Sequence, residues 1–391
     1  MARKSESKGD ARGRNRPLRG ALVGYGFISS QGHVPGYLQS ARERGDVEIV
    51  AVADMTEARR LAAQQALPSA RIYPDHRSLL AQEAGNLDFI DISTPPTVHA
   101  RIAHDALDRG LHVFCEKPLA TTLEDARSML AHASRARRVL FPCHNYKHAG
   151  VVKAIREILS SGAIGRVQTV TLSTYRNTHA KGVAEWLPHW RRDRMLSGGG
   201  IAMDHGPHTF YLAFEWLASY PTSISARTIT VDSDRYDTED SFTATLTFPT
   251  GVASSFLTWK AGVRKVIYTI HGDRGAITVD DDDMQISVVK PPNGDPTAST
   301  KWTTERRSIS SNWMDASHVT WFRSLFDEFK AAIDADDFVG KDALEAYLAV
   351  QLITTAYRSA ALGGRDLPLA TEFRSTETAR AELESVRSDA E

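Results

Sequence analysis

The sequence predicts an α/β chain of two domains: an N-terminal doubly wound parallel sheet, then a C-terminal α+β domain. Three observations predict it. Between residues 19 and 142, short apolar runs alternate with stretches of helical pattern, the signature of βαβ crossovers and a parallel sheet. Those runs are apolar almost throughout, as in strands covered on both faces. From about residue 166 on, long segments of alternating polar and apolar residues follow one another, which points to an antiparallel or mixed sheet with one polar face.

The 391 residues exceed one ordinary domain and supply ample core for two. Hydrophobic residues make up 42% and charged residues 24%, with a formal net charge of −1. That balance fits a soluble globular protein and gives no global pull toward nucleic acid or an anionic membrane surface. Cys115 and Cys143, the two cysteines, are too few for a disulfide framework or a four-thiolate zinc site. They read as reduced thiols. Residues 1–18 are polar and basic and are expected to be a disordered tail, without the apolar core of a secretory leader. No run reaches the ~18–20 apolar residues of a membrane span. The expected location is cytoplasmic. The remaining divisions are 19–142, 143–370 and an acid-rich, disordered or frayed tail at 371–391.

In the first domain the strands are RGALVGYGFIS, VEIVAVAD (47–54), the weak RIYPD (71–75), LDFIDISTPP (87–96), LHVFCEKP (111–118) and VLFPCHNY (139–146). Helical stretches lie between them at 57–67, 97–110 and 122–137. The second half opens with an amphipathic helix at 151–165, closed by glycines. Strands follow, with FPTGV and GDRGA as hairpin turns. A long amphipathic helix is expected within 342–369, closed by Gly363-Gly364. The run Asp280–Asp283 reads as a solvated turn, since the ligand spacing of a calcium loop is missing.

Gly24-Tyr25-Gly26-Phe27-Ile28-Ser29 follows the first strand as G-x-G-x-x-S, one step from the dinucleotide fingerprint. The first glycine permits a tight turn, the second lets backbone approach a pyrophosphate, and helix amides hold the phosphates. An ordinary strand–helix turn is the other reading. Asp54 ends the second strand, where a carboxylate accepts hydrogen bonds from ribose hydroxyls and repels a 2′-phosphate. Met55, Thr56 and Glu57 follow it, with Arg59 and Arg60 a turn later. NAD is therefore expected rather than NADP. The spacing from the glycines is longer than usual, which requires an extended first helix or loop.

In open parallel sheets, ligands sit beyond the carboxyl ends of the strands. Lys117, at such a tip, would face the cofactor crevice, where burial fits a lysine for proton transfer. The alternative is a surface ion pair with Glu116. Further on, Gly198–Gly200 precede Asp204 and His208, four residues apart and so on one helix face. A carboxylate near an imidazole orients it and favours its protonated form. A structural Asp–His pair or, with His205, a metal group are the other readings, though no zinc motif is present.

These segments together resemble the Gfo/Idh/MocA oxidoreductases, the glucose–fructose oxidoreductase and inositol dehydrogenase relatives. The likeness rests on GALVGYGFISSQGHVPGY, IVAVADMTEAR, DFIDISTPPTVHARIAHDALDRGLHVFCEKPLA, VVKAIREILSSGAIGRV and WRRDRMLSGGGIAMDHGPH. It implies a Rossmann domain followed by a domain with a large, mostly antiparallel sheet. The family's E-K-P motif falls on Glu116, Lys117 and Pro118, with a Lys–Pro bond that is often cis. Its D-x-x-x-H falls on Asp204 and His208. His208 would then take the proton of a substrate hydroxyl while Lys117 polarises the oxygen, although some relatives give the proton to the lysine. Cofactor contacts would come from Gly24, Gly26, Phe27, Ile28, Asp54, Thr94, Pro95, His99, Glu116 and Lys117. Substrate contacts would come from Tyr146, Lys147, Trp190, Arg191, Asp204 and His208. Trp190 could equally be a core aromatic.

The activity implied is NAD(P)-dependent hydride transfer at a secondary alcohol or ketone of a sugar, sugar derivative or cyclitol. A glycosidase using transient sugar oxidation, or a cofactor-sensing regulator, are the alternatives. The partners implied are a small polyhydroxylated substrate and further copies of the chain, as a homodimer or homotetramer, with no nucleic acid, membrane or metal.

Overall fold

Each apolar run of the first half becomes a strand in one six-stranded parallel sheet. In the computed structural model, which describes residues 16–290, 301–311, 313, 315 and 317–369, these are β1 (Leu18–Val23), β2 (Val47–Ala53), β3 (Arg71–Tyr73), β4 (Phe89–Ile92), β5 (His112–Cys115) and β6 (Leu140–Pro142). The helices between them are α1 (Val34–Arg44), α2 (Glu57–Ala66), α3 (His76–Glu83), α4 (His99–Leu107) and α5 (Leu123–Ala136). The strand order is β3-β2-β1-β4-β5-β6. The chain winds outward from β1 on one side and returns on the other, so the switch point, and a ligand crevice, lie beyond the ends of β1 and β4. Of the expected tails, 371–391 and 1–15 lie outside the described residues. Order begins before residue 19: Arg16 forms a forked pair with Asp88 at 2.6 and 2.8 Å, and Leu18 is in β1.

The extended first helix that the glycine–Asp54 spacing required is present. A wide π turn at Ser29–His33 runs directly into α1. Gly32 in that turn admits the ring of Phe322, which would stand 2.7 Å from any Cβ placed there.

The second sheet has nine strands. Its helices and strands are α6 (Gly150–Ser160), β7 (Val167–Tyr175), α7 (Arg194–Ser197), α8 (Ile201–Leu217), β8 (Ser223–Ile229), β9 (Ser241–Phe248), β10 (Gly251–Thr258), β11 (Lys265–Gly272), β12 (Gly275–Asp280), β13 (Asp283–Lys290), β14 (Lys301–Ser308), α9 (Val319–Asp334), α10 (Lys341–Ala361) and β15 (Leu367–Pro368). The order is β14-β13-β12-β11-β7-β10-β9-β8-β15, antiparallel throughout except between β7 and β10. FPTGV and GDRGA make the two-residue hairpins β9–β10 and β11–β12. Asp281 and Asp282 in the acidic turn bind backbone, accepting from Val266 N–H and Ser311 N–H at 2.7 and 2.8 Å.

The last two helices return to the first domain. Phe322, Phe326 and Phe329 of α9 complete an aromatic layer with Phe89, Phe114 and Tyr37. Helix α10 is not amphipathic as expected. Tyr347 and Val350 pack into the core of the first sheet, while Leu352, Ile353 and Ala356 pack into that of the second. A helix covered on two sides has no wide polar face. Among the described residues, no helix is long and apolar enough to cross a membrane.

Candidate active site

One large cavity, about 1310 Å3, extends from the turn after β1 to the start of α8. Gly24 has φ +91°, and a Cβ there would stand 2.7 Å from the Ser93 carbonyl oxygen, so the turn admits only glycine. Gly26 faces open space, with no atom within 4 Å of a Cβ position, so backbone is bare to the cavity. Phe27, Ile28, Thr94 and Pro95 also line it. The buried Thr94 Oγ1 has no hydrogen-bond partner among the described residues.

Asp54 is fixed at the end of β2 by the N–H groups of Tyr25 (2.7 Å) and Thr56 (2.8 Å) and lines the cavity. The two arginines that follow both donate to backbone, and Arg59, which lines the cavity, also has Nη1 3.6 Å from Glu185. Arg59 Nε donates to the Tyr25 carbonyl at 2.8 Å, and Arg60 donates to the carbonyls of Asp54 and Met55 at 2.9 Å. A glycine cradle, an orphaned hydroxyl and a carboxylate at the end of the second strand, able to accept from ribose hydroxyls, fit a dinucleotide.

Lys117 rises from the tip of β5, and its peptide bond to Pro118 is cis. Its Nζ donates to the Asp204 carbonyl oxygen at 2.9 Å and to Asp204 Oδ1 at 3.2 Å. Glu116 lines the cavity wall beneath it: one carboxylate oxygen accepts the Lys117 N–H at 3.0 Å and the other faces His33 Nε2 at 3.1 Å. His33 Nδ1 lies 2.6 Å from Asp91 Oδ2, which also accepts from the Tyr37 hydroxyl. Burial opposes a charge on His33, but the Asp91 and Glu116 carboxylates outweigh it and raise its pKa to about 10. A buried Asp91–His33⁺–Glu116 row therefore supports the lysine-bearing turn. Sequence reading missed it. The signal was an acid inside the apolar run FIDI and a histidine just after the glycine turn.

Helix α8 is set by Glu239, whose carboxylate accepts the N–H groups of Gly200 and Ala202 at 3.0 Å. Asp204 and His208 both reach the cavity but are not hydrogen-bonded to each other, contrary to expectation. Asp204 is shared by Lys117, Arg191 (3.3 Å) and His205 (3.1 Å). Burial opposes its charge, yet these three neighbours hold its carboxyl well below the usual range. His208 takes Tyr211 instead, 2.7 Å from Nδ1 to the hydroxyl, and stacks on Tyr146 at 3.9 Å. Burial, with the nearby Lys117 ammonium, pushes its pKa well below 6.5. A lowered pKa favours the neutral imidazole, the form in which His208 can accept a proton, whereas pairing with Asp204 would have favoured the protonated one. Arg191 lies over Trp190 at 4.3 Å, and both line the cavity.

The family model described as "Oxidoreductase family, NAD-binding Rossmann fold" matches residues 18–144, and the "GFO/IDH/MocA C-terminal domain" matches residues 152–278. The chain belongs to the Gfo/Idh/MocA oxidoreductase family. D-Apiose dehydrogenase of Paraburkholderia graminis is 34% identical over 61% of this chain, a stretch that spans 59% of that relative's length. D-Glucoside 3-dehydrogenase of Escherichia coli is 26% identical over 89% of this chain and 97% of its own. A solved oxidoreductase domain protein from Kribbella flavida shares the fold, with a TM-score of 0.76 at 19% identity, over 91% of this chain and 100% of that one.

Two residues aligned with this family's motifs stand elsewhere than expected. Lys147 does not line the cavity. Its Nζ is buried between Asp342 Oδ1 at 2.5 Å and Glu345 Oε2 at 2.6 Å on α10. Two carboxylates hold the ammonium in place as a structural tie. His99 is also buried outside the cavity, with its ring nitrogens 2.9 Å from the Thr94 carbonyl and 3.1 Å from that of Pro118. It joins the two strand-tip turns from behind rather than meeting the cofactor itself. Cys115 and Cys143 are buried, unbridged thiols whose pKa burial pushes far up, so neither is poised as a nucleophile.

Proposed function

We propose that the chain is an NAD-dependent dehydrogenase or reductase acting at a secondary alcohol or ketone of a sugar, sugar derivative or cyclitol. The observation that carries this is the convergence of Lys117, Asp204 and His208 on one cavity that also holds the bare glycine turn and Asp54. When bound, the nicotinamide supplies the two-electron acceptor or donor. The chain's own residues handle the proton. Asp204 keeps the Lys117 ammonium directed at the substrate oxygen, where it stabilises developing negative charge. His208, neutral and with Nε2 not taken by any described residue, receives the hydroxyl proton during oxidation and returns it during reduction. Tyr211 steadies the ring at Nδ1. Its oxygen also accepts the Tyr146 N–H at 3.1 Å.

The names of the two curated relatives, a D-apiose and a D-glucoside dehydrogenase, support a sugar. The open face of the nine-stranded sheet is the proposed contact between copies in a dimer or tetramer. A panel of aldoses, glycosides and inositols with NAD and NADP, followed by nicotinamide absorbance, tests the reading. Reduction of NAD by at least one of them is expected. Release of a free sugar from a glycoside with no net NADH would replace it with the glycosidase chemistry.

A further inference from the structure

The cavity beyond His208 carries positive charge that the chemistry above does not use. The second domain contributes Arg176, Lys181, Arg191 and Arg264 to the lining, and one carboxylate, Asp204. Asp204 is already shared by Lys117, Arg191 and His205. Arg176, at the end of β7, is 8% exposed. Its guanidinium donates to the carbonyls of Tyr175 at 2.8 Å and Lys265 at 3.3 Å, and stands 3.5 Å from the Tyr146 hydroxyl. No carboxylate among the described residues makes an ion pair with it. A guanidinium buried without a counter-ion is costly to keep.

Arg264, before β11, brings a second charge. Its Nη2 donates to the Trp313 carbonyl at 2.6 Å, and burial together with the like charge of Arg176 lowers its pKa. His318 completes the wall. It lies flat on Trp321 at 3.8 Å, is 7% exposed, and its Nδ1 is buried with no partner among the described residues. Burial and the two arginines lower its pKa to about 4, so it is a neutral ring with an unspent hydrogen-bonding atom. Tyr146 links this wall to the reaction centre: its ring stacks on His208 while its hydroxyl reaches Arg176.

We propose that the substrate is an acidic sugar, whose carboxylate or phosphate is held by Arg176 and Arg264 with His318 beside them. The inference rests on the sugar-oxidoreductase reading of the same cavity. The anionic group then sits one aromatic ring's breadth beyond His208, on the far side of the sugar from the reacting hydroxyl. Arginine is suited to the task because its planar fork matches carboxylate and phosphate oxygens two at a time.

The test uses the full chain loaded with NAD. D-glucose, D-glucuronate and glucose 6-phosphate, with the matching galactose series, are titrated by calorimetry and assayed for nicotinamide reduction. The acidic members are expected to bind about 30-fold or more tightly than their neutral counterparts. Uronate against 6-phosphate tells which anion is read. In Arg264→Gln that preference collapses, and in Arg264→Lys part of it survives, while the dissociation constant for NAD stays unchanged and reports an intact fold. Equal affinity for neutral and acidic sugars, no binding of any acid, or an equal loss for both kinds in Arg264→Gln overturns the inference. In those cases NADH formation from a neutral sugar leaves the oxidoreductase reading standing. Arg264-dependent binding of the acids without any nicotinamide reduction does the opposite: the anion site holds and the oxidoreductase reading falls.

Discussion

The Lys117 ammonium donates to the main-chain carbonyl of Asp204 at 2.9 Å and to its carboxylate at 3.2 Å, joining the turn after β5 of the first sheet to α8 on the other side of the cavity. One residue thus offers the lysine a fixed dipole and a charge. Lys117→Ala removes the ammonium that the proposed function directs at the substrate oxygen. Its turnover is expected to fall by ~10²–10⁴, with NAD affinity near wild type. Asp204→Asn keeps the carbonyl and loses the charge, so a smaller fall is expected. Near wild-type turnover in Lys117→Ala, measured by initial rates, would remove the lysine from the mechanism.

With His208 as the proposed proton acceptor, its pKa should set the acid limb of the pH profile. That pKa lies well below 6.5 because burial and the Lys117 ammonium disfavour the imidazolium. The proton-accepting form therefore persists on acidification past 6.5, where an exposed histidine would be half charged. The kcat/KM of the wild-type enzyme should hold through that point and decline only at more acid pH. The linkage has a definite sign. Below 6.5 the unfolded chain takes up a proton that the folded one refuses, so stability falls as pH drops toward the folded pKa. An activity midpoint at or above 6.5 would contradict a buried neutral base.

Asp54 predicts cofactor choice. Two backbone N–H groups, at 2.7 and 2.8 Å, hold its carboxylate at the end of β2 against the cavity, where the proposed cofactor would place a ribose, while Arg59 and Arg60 each donate to backbone carbonyls. A 2′-phosphate would meet like charge there. NAD should be preferred, and Asp54→Ala should shift the NAD-to-NADP ratio of kcat/KM toward NADP by ~10-fold or more. A wild-type preference for NADP in the same assay would refute it.

Lys147 distinguishes a structural cation from a substrate-binding one. Burial works against its charge, but Asp342 and Glu345 raise its pKa, so it stays an ammonium. Lys147→Met leaves the buried Glu345 carboxylate and the partly buried Asp342 carboxylate without their shared cation. The variant should lose ~3–5 kcal/mol in urea unfolding. The fraction that remains folded should show a KM close to wild type. A large rise in KM with intact stability would return Lys147 to the substrate.

The first sheet could be read almost strand by strand, because strands covered on both faces are apolar without interruption and end in turn residues. Lys117 stood out for the same reason, as a charge at the end of such a run. His99 and Lys147 were misplaced because the direction of a side chain is not written in its neighbours. The Lys147 partners lie 195 and 198 residues downstream, on a helix whose pattern alone suggested an exposed polar face. Arg176, Arg264 and His318 had no local signature at all. Each follows or precedes an ordinary strand or helix, and only the pairing of β11 with β7, which sets Lys265 opposite Tyr175, and the placement of the start of α9 bring them to one cavity.

By itself the sequence determined the two-domain plan, the glycine turn, the carboxylate at the end of β2 and the lysine at the strand tip. Hydrophobic period, turn chemistry and short spacing are local quantities that a linear pattern carries. Tertiary structure alone decided that Asp204 serves Lys117 rather than His208, that His208 is neutral, and that Lys147 is a buried tie. Charge state and hydrogen-bond partner depend on burial and on groups tens to hundreds of residues away. Those are properties of the packed molecule, not of any stretch of chain.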